Sequence, residues 1–87
     1  MLANFMTQKI PKGWKINNGK LCRDFKFKDF KETLSFVNKV GQLSEEEGHH
    51  PEIYFTWGKC RIEIFTHSEN ALTQKDFSLA EKINRLK

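Results

Sequence analysis

The chain contains three histidines, His49, His50 and His67, and two of them are adjacent. An acidic run, Glu45-Glu46-Glu47, precedes the pair, Pro51 follows it, and Asp76 lies beyond His67. Imidazole has an unperturbed pKa of about 6.5, so near neutrality it both gives and takes protons. No Ser or Cys stands beside a histidine in a nucleophile motif, and there is no Gly-rich phosphate loop and no Cys-x-x-Cys pair. Covalent, nucleotide-linked and thiolate-zinc mechanisms therefore lack support. Two chemistries remain: proton transfer by imidazoles, which suits dehydrations, and a metal site built from histidine alone.

These side chains must be brought together by the elements around them. Asp29 and Glu32 have capping-box spacing, and Phe30, Leu34, Phe36, Val37, Val40 and Leu43 recur at helical intervals, which predicts an amphipathic helix to about Glu46. Gly48 suits the left-handed residue that ends a helix, so His49-His50-Pro51 leaves directly from a helix end. Pro51 opens an extended segment through Trp57, Gly58-Lys59 is the expected turn, and Cys60, Ile62 and Ile64 form one face of the return strand. Arg61, Glu63 and Phe65 belong to the other face. Such a hairpin delivers His67 to the end of the sheet where His49 and His50 begin, so the three imidazoles could converge. Adjacent residues in an extended segment alternate in direction, which would aim His50 away from His49.

Two further signals complete the pattern. Asn18-Gly19 between Trp14-Lys15-Ile16 and Leu21–Phe27 marks a hairpin with a type I′ turn. Thr73 and Asp76 form a second capping box, with Leu72 and Phe77 at the staple positions, and open a helix carrying Phe77, Leu79, Ala80, Ile83 and Leu86. Leu2, Phe5, Met6 and Ile10 offer a loose third helix before Pro11. The expected fold is α+β: a four-stranded antiparallel sheet with two or three helices on one face, in the order helix, hairpin, helix, hairpin, helix. Each candidate has a bland alternative. Asp76 could serve only as a cap, Glu45 only as part of a solvated acidic run, and Trp57 and Phe65 only as packing residues.

Eighty-seven residues make one small domain, read here as residues 1–87, and 8 Phe and 2 Trp are enough to close its core. The net charge of +4 is uneven: residues 1–42 hold 9 basic and 3 acidic side chains, residues 43–87 hold 6 and 8. The lysines mostly alternate with apolar residues, which reads as a solvated face, so nucleic-acid binding is not expected. No segment is long and apolar enough for a membrane span, and no basic start precedes an apolar run, so a soluble cytoplasmic protein is expected. Cys22 and Cys60 are expected to be reduced, packed thiols.

The spacing Glu45-x-x-x-His49-His50-Pro51, Trp57, His67 and Asp76 closely resembles the signature of the pterin-4a-carbinolamine dehydratases. The similarity extends to Trp14, Leu21, Arg23-x-Phe25-x-Phe27-Lys28-Asp29-Phe30, Phe36, Val40, Thr66-His67-Ser68 and Leu72-Thr73-x-x-Asp76-Phe77. One departure is Asn70-Ala71, where family members often carry Gly-Gly. The resemblance implies dehydration of a 4a-hydroxytetrahydropterin to the quinonoid dihydropterin, the recycling step of tetrahydrobiopterin after a pterin-dependent aromatic amino acid hydroxylase, with no metal or redox cofactor. By the same resemblance His49 and His67 form the proton-transfer pair, His50 chiefly holds the pterin, and Asp76 orients a catalytic imidazole. Pro51, Thr66, Ser68 and Glu69 are carried over as substrate contacts, and Glu45 matches the motif without an assigned role. A homodimer or homotetramer is implied by the family alone. The alternative is a nucleic-acid or transcription-factor binding module with a dimerisation role, and a histidine-only zinc hydrolase is a third reading.

Overall fold

The computed structural model describes residues 9–87. The proposed helix through Leu2, Phe5 and Met6 lies outside them. The described residues form β1 (Lys15–Asn17), β2 (Lys20–Lys26), α1 (Phe30–Glu47), β3 (Glu52–Thr56), β4 (Lys59–Ile64) and α2 (Gln74–Asn84). All strand pairings are antiparallel and the spatial order is β1-β2-β4-β3, which puts β4 in the interior and β3 at an edge. This is an α+β fold with both helices on one side of the sheet.

Asn18 and Gly19 both have positive φ, 53° and 78°, and join β1 to β2 as the type I′ signal requires. The second turn falls one residue earlier than expected. Thr56 pairs with Lys59, so Trp57-Gly58 is the turn and Lys59 belongs to the ladder. Trp57 consequently stands at the tip of the hairpin, 64% exposed, instead of packing.

The core forms where Leu21, Phe25, Cys60, Ile62 and Ile64 meet Phe36 and Val40 of α1 and Phe77, Leu79, Ala80 and Ile83 of α2. Phe36 packs against Phe25 and Phe27 with ring centroids 4.7 and 5.1 Å apart. The buried stripe of α1 is Thr33, Phe36, Val40 and Ser44, rotated away from Phe30 and Leu34, which are exposed. Two polar residues tolerate this burial because their hydroxyls are bonded. Thr33 donates to the Asp29 carbonyl at 2.8 Å and accepts from the Gly58 N–H at 3.1 Å, and Ser44 donates to the Val40 carbonyl at 2.7 Å. Cys22 and Cys60 are buried free thiols, and burial pushes the Cys60 thiol up to about 11.

The other face of the sheet interleaves cations with acids. Lys20 donates to Glu52 at 3.0 Å and Arg61 to Asp24 at 3.0 Å, each pair bridging two strands. β4 ends at Ile64, and just beyond it the half-buried Phe65 ring stands edge-on to His67.

Candidate active site

The site begins at the end of α1. Gly48 adopts φ 67°, a left-handed conformation that costs glycine little. The Gly48 N–H then donates to the Glu45 carbonyl and the His49 N–H to the Ser44 carbonyl, the paired bonds of a Schellman motif. The backbone of His49 is thus fixed by the helix itself. Three acids in the last turn of α1 oppose the helix dipole, and two of them have partners: Glu47 accepts from Lys82 at 2.7 Å and Glu45 from His50.

The second half comes from the segment joining β4 to α2. Thr66 and Ala71 pair as an isolated bridge and enclose a tight turn through His67, Ser68, Glu69 and Asn70. Asn70 has φ 52°, a conformation asparagine tolerates better than most residues, which explains how this loop closes without the family's usual glycines. Thr73 then caps α2, and its capping box with Asp76 is formed as expected.

Asp76 joins the two halves. Its side chain is fully buried. One carboxylate oxygen accepts from His49 Nε2 at 2.6 Å, and the other accepts from the Thr66 hydroxyl at 2.7 Å and the Thr73 N–H at 2.8 Å. Three donors satisfy the buried carboxylate. The proton positions follow by elimination. Thr66 has one hydroxyl proton and gives it to Asp76, so the contact of 2.8 Å between the two threonine hydroxyls is donated by Thr73. On the carboxylate's other side, the His49 proton must be on Nε2. In neutral His49 the lone pair is then on Nδ1, which bonds no protein group among the described residues.

A cleft of about 280 Å³ lies over this arrangement, lined by Gly48, His49, His50, Phe65, Thr66, His67, Ser68 and Lys75. All three histidines reach it. His49 and His50 do not separate to opposite sides, because strict alternation belongs to a paired strand and pairing begins only at Glu52. Their settings differ instead. His49 is 14% exposed and held by Asp76, whereas His50 is 60% exposed and its Nε2 meets Glu45 at 2.5 Å. The His67 ring stands edge-on to Phe65 at 5.3 Å, and no hydrogen bond among the described residues holds it.

The remaining candidates fall in different places. Ser68 lines the cleft. Thr66 borders it, but its hydroxyl, N–H and carbonyl are all bonded within the chain, so it braces Asp76. Pro51 and Glu69 are not among the lining residues, and Asp76 lies behind His49. Gly48, Phe65 and Lys75 are lining residues that sequence reasoning missed. For Lys75 a signal existed: a cation in the first turn of a helix, where the dipole favours acids.

Fold and site together define a small α+β domain with a histidine-lined cleft and one buried carboxylate oriented on an imidazole. The comparisons with known proteins bear on the family and the fold. Residues 2–86 match the sequence model of the pterin 4 alpha carbinolamine dehydratase family, and the chain belongs to that family. A relative in Alkaliphilus metalliredigens is 51% identical over 73 residues, 83% of this chain and 66% of that protein. One in Rubrobacter xylanophilus is 45% identical over 82 residues, 93% of this chain and 76% of the relative. Both bear the name pterin-4-alpha-carbinolamine dehydratase provisionally. The chain thus spans just under two thirds of the length of the first of these relatives. Among solved structures, a transcriptional coactivator/pterin dehydratase from Brucella melitensis superimposes with a TM-score of 0.81 at 33% identity, covering 87% of this chain and 83% of that one. A pterin dehydratase-like protein identified as a RuBisCO assembly factor shares the fold, with a TM-score of 0.69 at 23% identity.

Proposed function

We propose that the chain dehydrates a 4a-hydroxytetrahydropterin to the quinonoid dihydropterin by acid/base catalysis from its histidines. The observation that carries this is the couple of His49 and buried Asp76 beneath a cleft that His50 and His67 also line. In the reaction the C4a–O bond breaks, a proton is delivered to the departing oxygen, N5 loses its proton, and a C4a=N5 double bond forms as water leaves. One base and one acid suffice.

His49 is suited to be the base. Its Nε2–H is committed to Asp76, its Nδ1 lone pair takes the N5 proton, and the carboxylate steadies the imidazolium that results. His67, on the facing turn, delivers the proton to the leaving hydroxyl. His50, braced by Glu45, contributes binding, and Ser68 offers a hydroxyl at the cleft wall. Thr66 acts only through Asp76. None of these steps requires a metal or redox cofactor. The pathway setting is the regeneration of tetrahydrobiopterin or a related pterin after an aromatic amino acid hydroxylase.

The test is a dehydratase assay on freshly generated 4a-hydroxytetrahydropterin, followed by its absorbance decay against the uncatalysed rate. Acceleration that disappears in His49→Ala with His67→Ala is expected. Decay at the background rate with the folded wild-type protein would overturn the proposal.

Self-association completes the reading. β3 is an edge strand, and Tyr54 and Phe55 are exposed on it and Trp57 in the turn that follows, with Phe55 stacked on exposed Phe30 at 6.1 Å. An apolar edge of this kind supports pairing of copies into a dimer or tetramer. Sedimentation should give a mass above that of one chain, and Phe55→Lys should lower it. A coactivator role of the kind ascribed to the Brucella melitensis protein would draw on the same surface, and a stoichiometric complex surviving His49→Ala would reveal it.

A further inference from the structure

Lys75 is the second residue of α2, in the first turn, where the helix's partial positive charge disfavours a cation. Its side chain nevertheless lines the cleft beside the three histidines and Ser68. Among the described residues it makes no ion pair with any carboxylate. The neighbouring acids are otherwise engaged or placed: Asp76 is buried against His49, Glu45 is held by His50, and Glu69 is not among the lining residues. The cleft therefore has an ammonium group and no carboxylate among its lining residues.

Resting on the dehydratase reading, we infer that the preferred substrate is a pterin whose C6 side chain ends in an anion, a phosphate or a carboxylate, and that Lys75 is the residue selecting it. C6 is bonded directly to N5, the atom His49 must reach, so the side chain leaves the ring one atom from the reacting centre. A cleft of about 280 Å³ takes the flat bicyclic ring and leaves the side chain toward solvent, and Lys75 is the exposed cation among the lining residues. A neutral side chain gives this ammonium group no partner. An anionic one pairs with it, which offers a reason to keep a lysine where the helix alone would prefer an acid.

The test compares the 4a-hydroxy forms of tetrahydroneopterin and its monophosphate, which differ only in the terminal phosphate, and adds 4a-hydroxytetrahydrofolate as the carboxylate arm. The expected kcat/KM for the phosphate is about tenfold above that of the neutral partner, the scale of one charge-assisted contact, and it should shrink at high salt. Lys75→Ala should bring the ratio near one, Lys75→Glu should invert it, and Lys75→Arg should retain it. The lower KM between the phosphate and carboxylate arms identifies which anion is bound. Titration with the unreactive 7,8-dihydro forms should reproduce the ratio without turnover. Equal kcat/KM for the matched pair, or a preference indifferent to Lys75→Ala, overturns this inference while leaving the dehydratase reading intact. Failure to bind or turn over any of the three overturns both.

Discussion

Replacing Asp76 with asparagine separates orientation of His49 from capping of α2. The carboxylate accepts three bonds, from His49 Nε2, the Thr66 hydroxyl and the Thr73 N–H. An amide keeps one accepting oxygen and presents two N–H donors on the other side. The backbone N–H of Thr73 cannot reverse its role, so the amide oxygen must remain toward Thr73 and Thr66. The NH₂ group then faces His49, whose Nε2 becomes the acceptor and whose proton moves to Nδ1. The cap survives with a neutral acceptor, and the expected stability loss is about 1 kcal/mol or less. The base does not survive, because Nδ1 now carries a proton. A wrong tautomer in a histidine and carboxylate couple costs up to about 10⁴-fold in turnover. The dehydration is less demanding, and about 10²-fold or more is expected. Denaturant melts measure the first effect and background-corrected stopped-flow decay of the carbinolamine the second. Imidazole ¹⁵N shifts report the tautomer directly. Turnover unchanged from wild type, or an Nε2 that remains protonated in the variant, would refute the reasoning and leave Asp76 as a cap.

The other expectations concern the histidines, the helix end, the thiols and the absence of a metal requirement. His49→Ala and His67→Ala should each lower turnover by about 10²-fold or more, whereas His50→Ala should mainly raise the Michaelis constant; the reverse pattern would exchange their roles. Gly48→Ala adds a Cβ that meets nothing within 4 Å, so its cost is conformational, about 1 kcal/mol, and thermal denaturation should register it together with weakened activity through the displaced His49 backbone. Burial holds the Cys60 thiol at about 11, so at pH 8 it stays protonated, and labelling by a thiol reagent should proceed only as fast as the protein unfolds. Exhaustive chelation should leave the dehydratase rate unchanged, since the reaction needs only one acid and one base; loss of activity restored by zinc would contradict the acid/base reading.

Local patterns in the chain determined most of the elements. The Asn18-Gly19 turn, the cap of α1 at Asp29, its end at Gly48 and the box joining Thr73 to Asp76 all depend on residues within one turn of each other, and short-range chemistry makes such features legible. The three histidines were legible as candidates for the same reason, since each closes or follows an element whose ends the sequence marks. Facing and partnership were not. Whether Phe30 or Thr33 turns inward on α1 depends on which helical stripe the sheet covers, and a threonine with two bonding partners there outcompetes a phenylalanine at the edge. The pairing of Thr56 with Lys59, which moved the turn and exposed Trp57, depends on the register of β4 against both neighbours. Above all, the contact of His49 with Asp76 joins residues distant in sequence. Asp76 alone reads as a helix cap. Only when the Thr66 turn and the end of α1 are packed against the same helix start does its second oxygen find an imidazole, and a capping residue becomes the group that fixes where His49 keeps its proton.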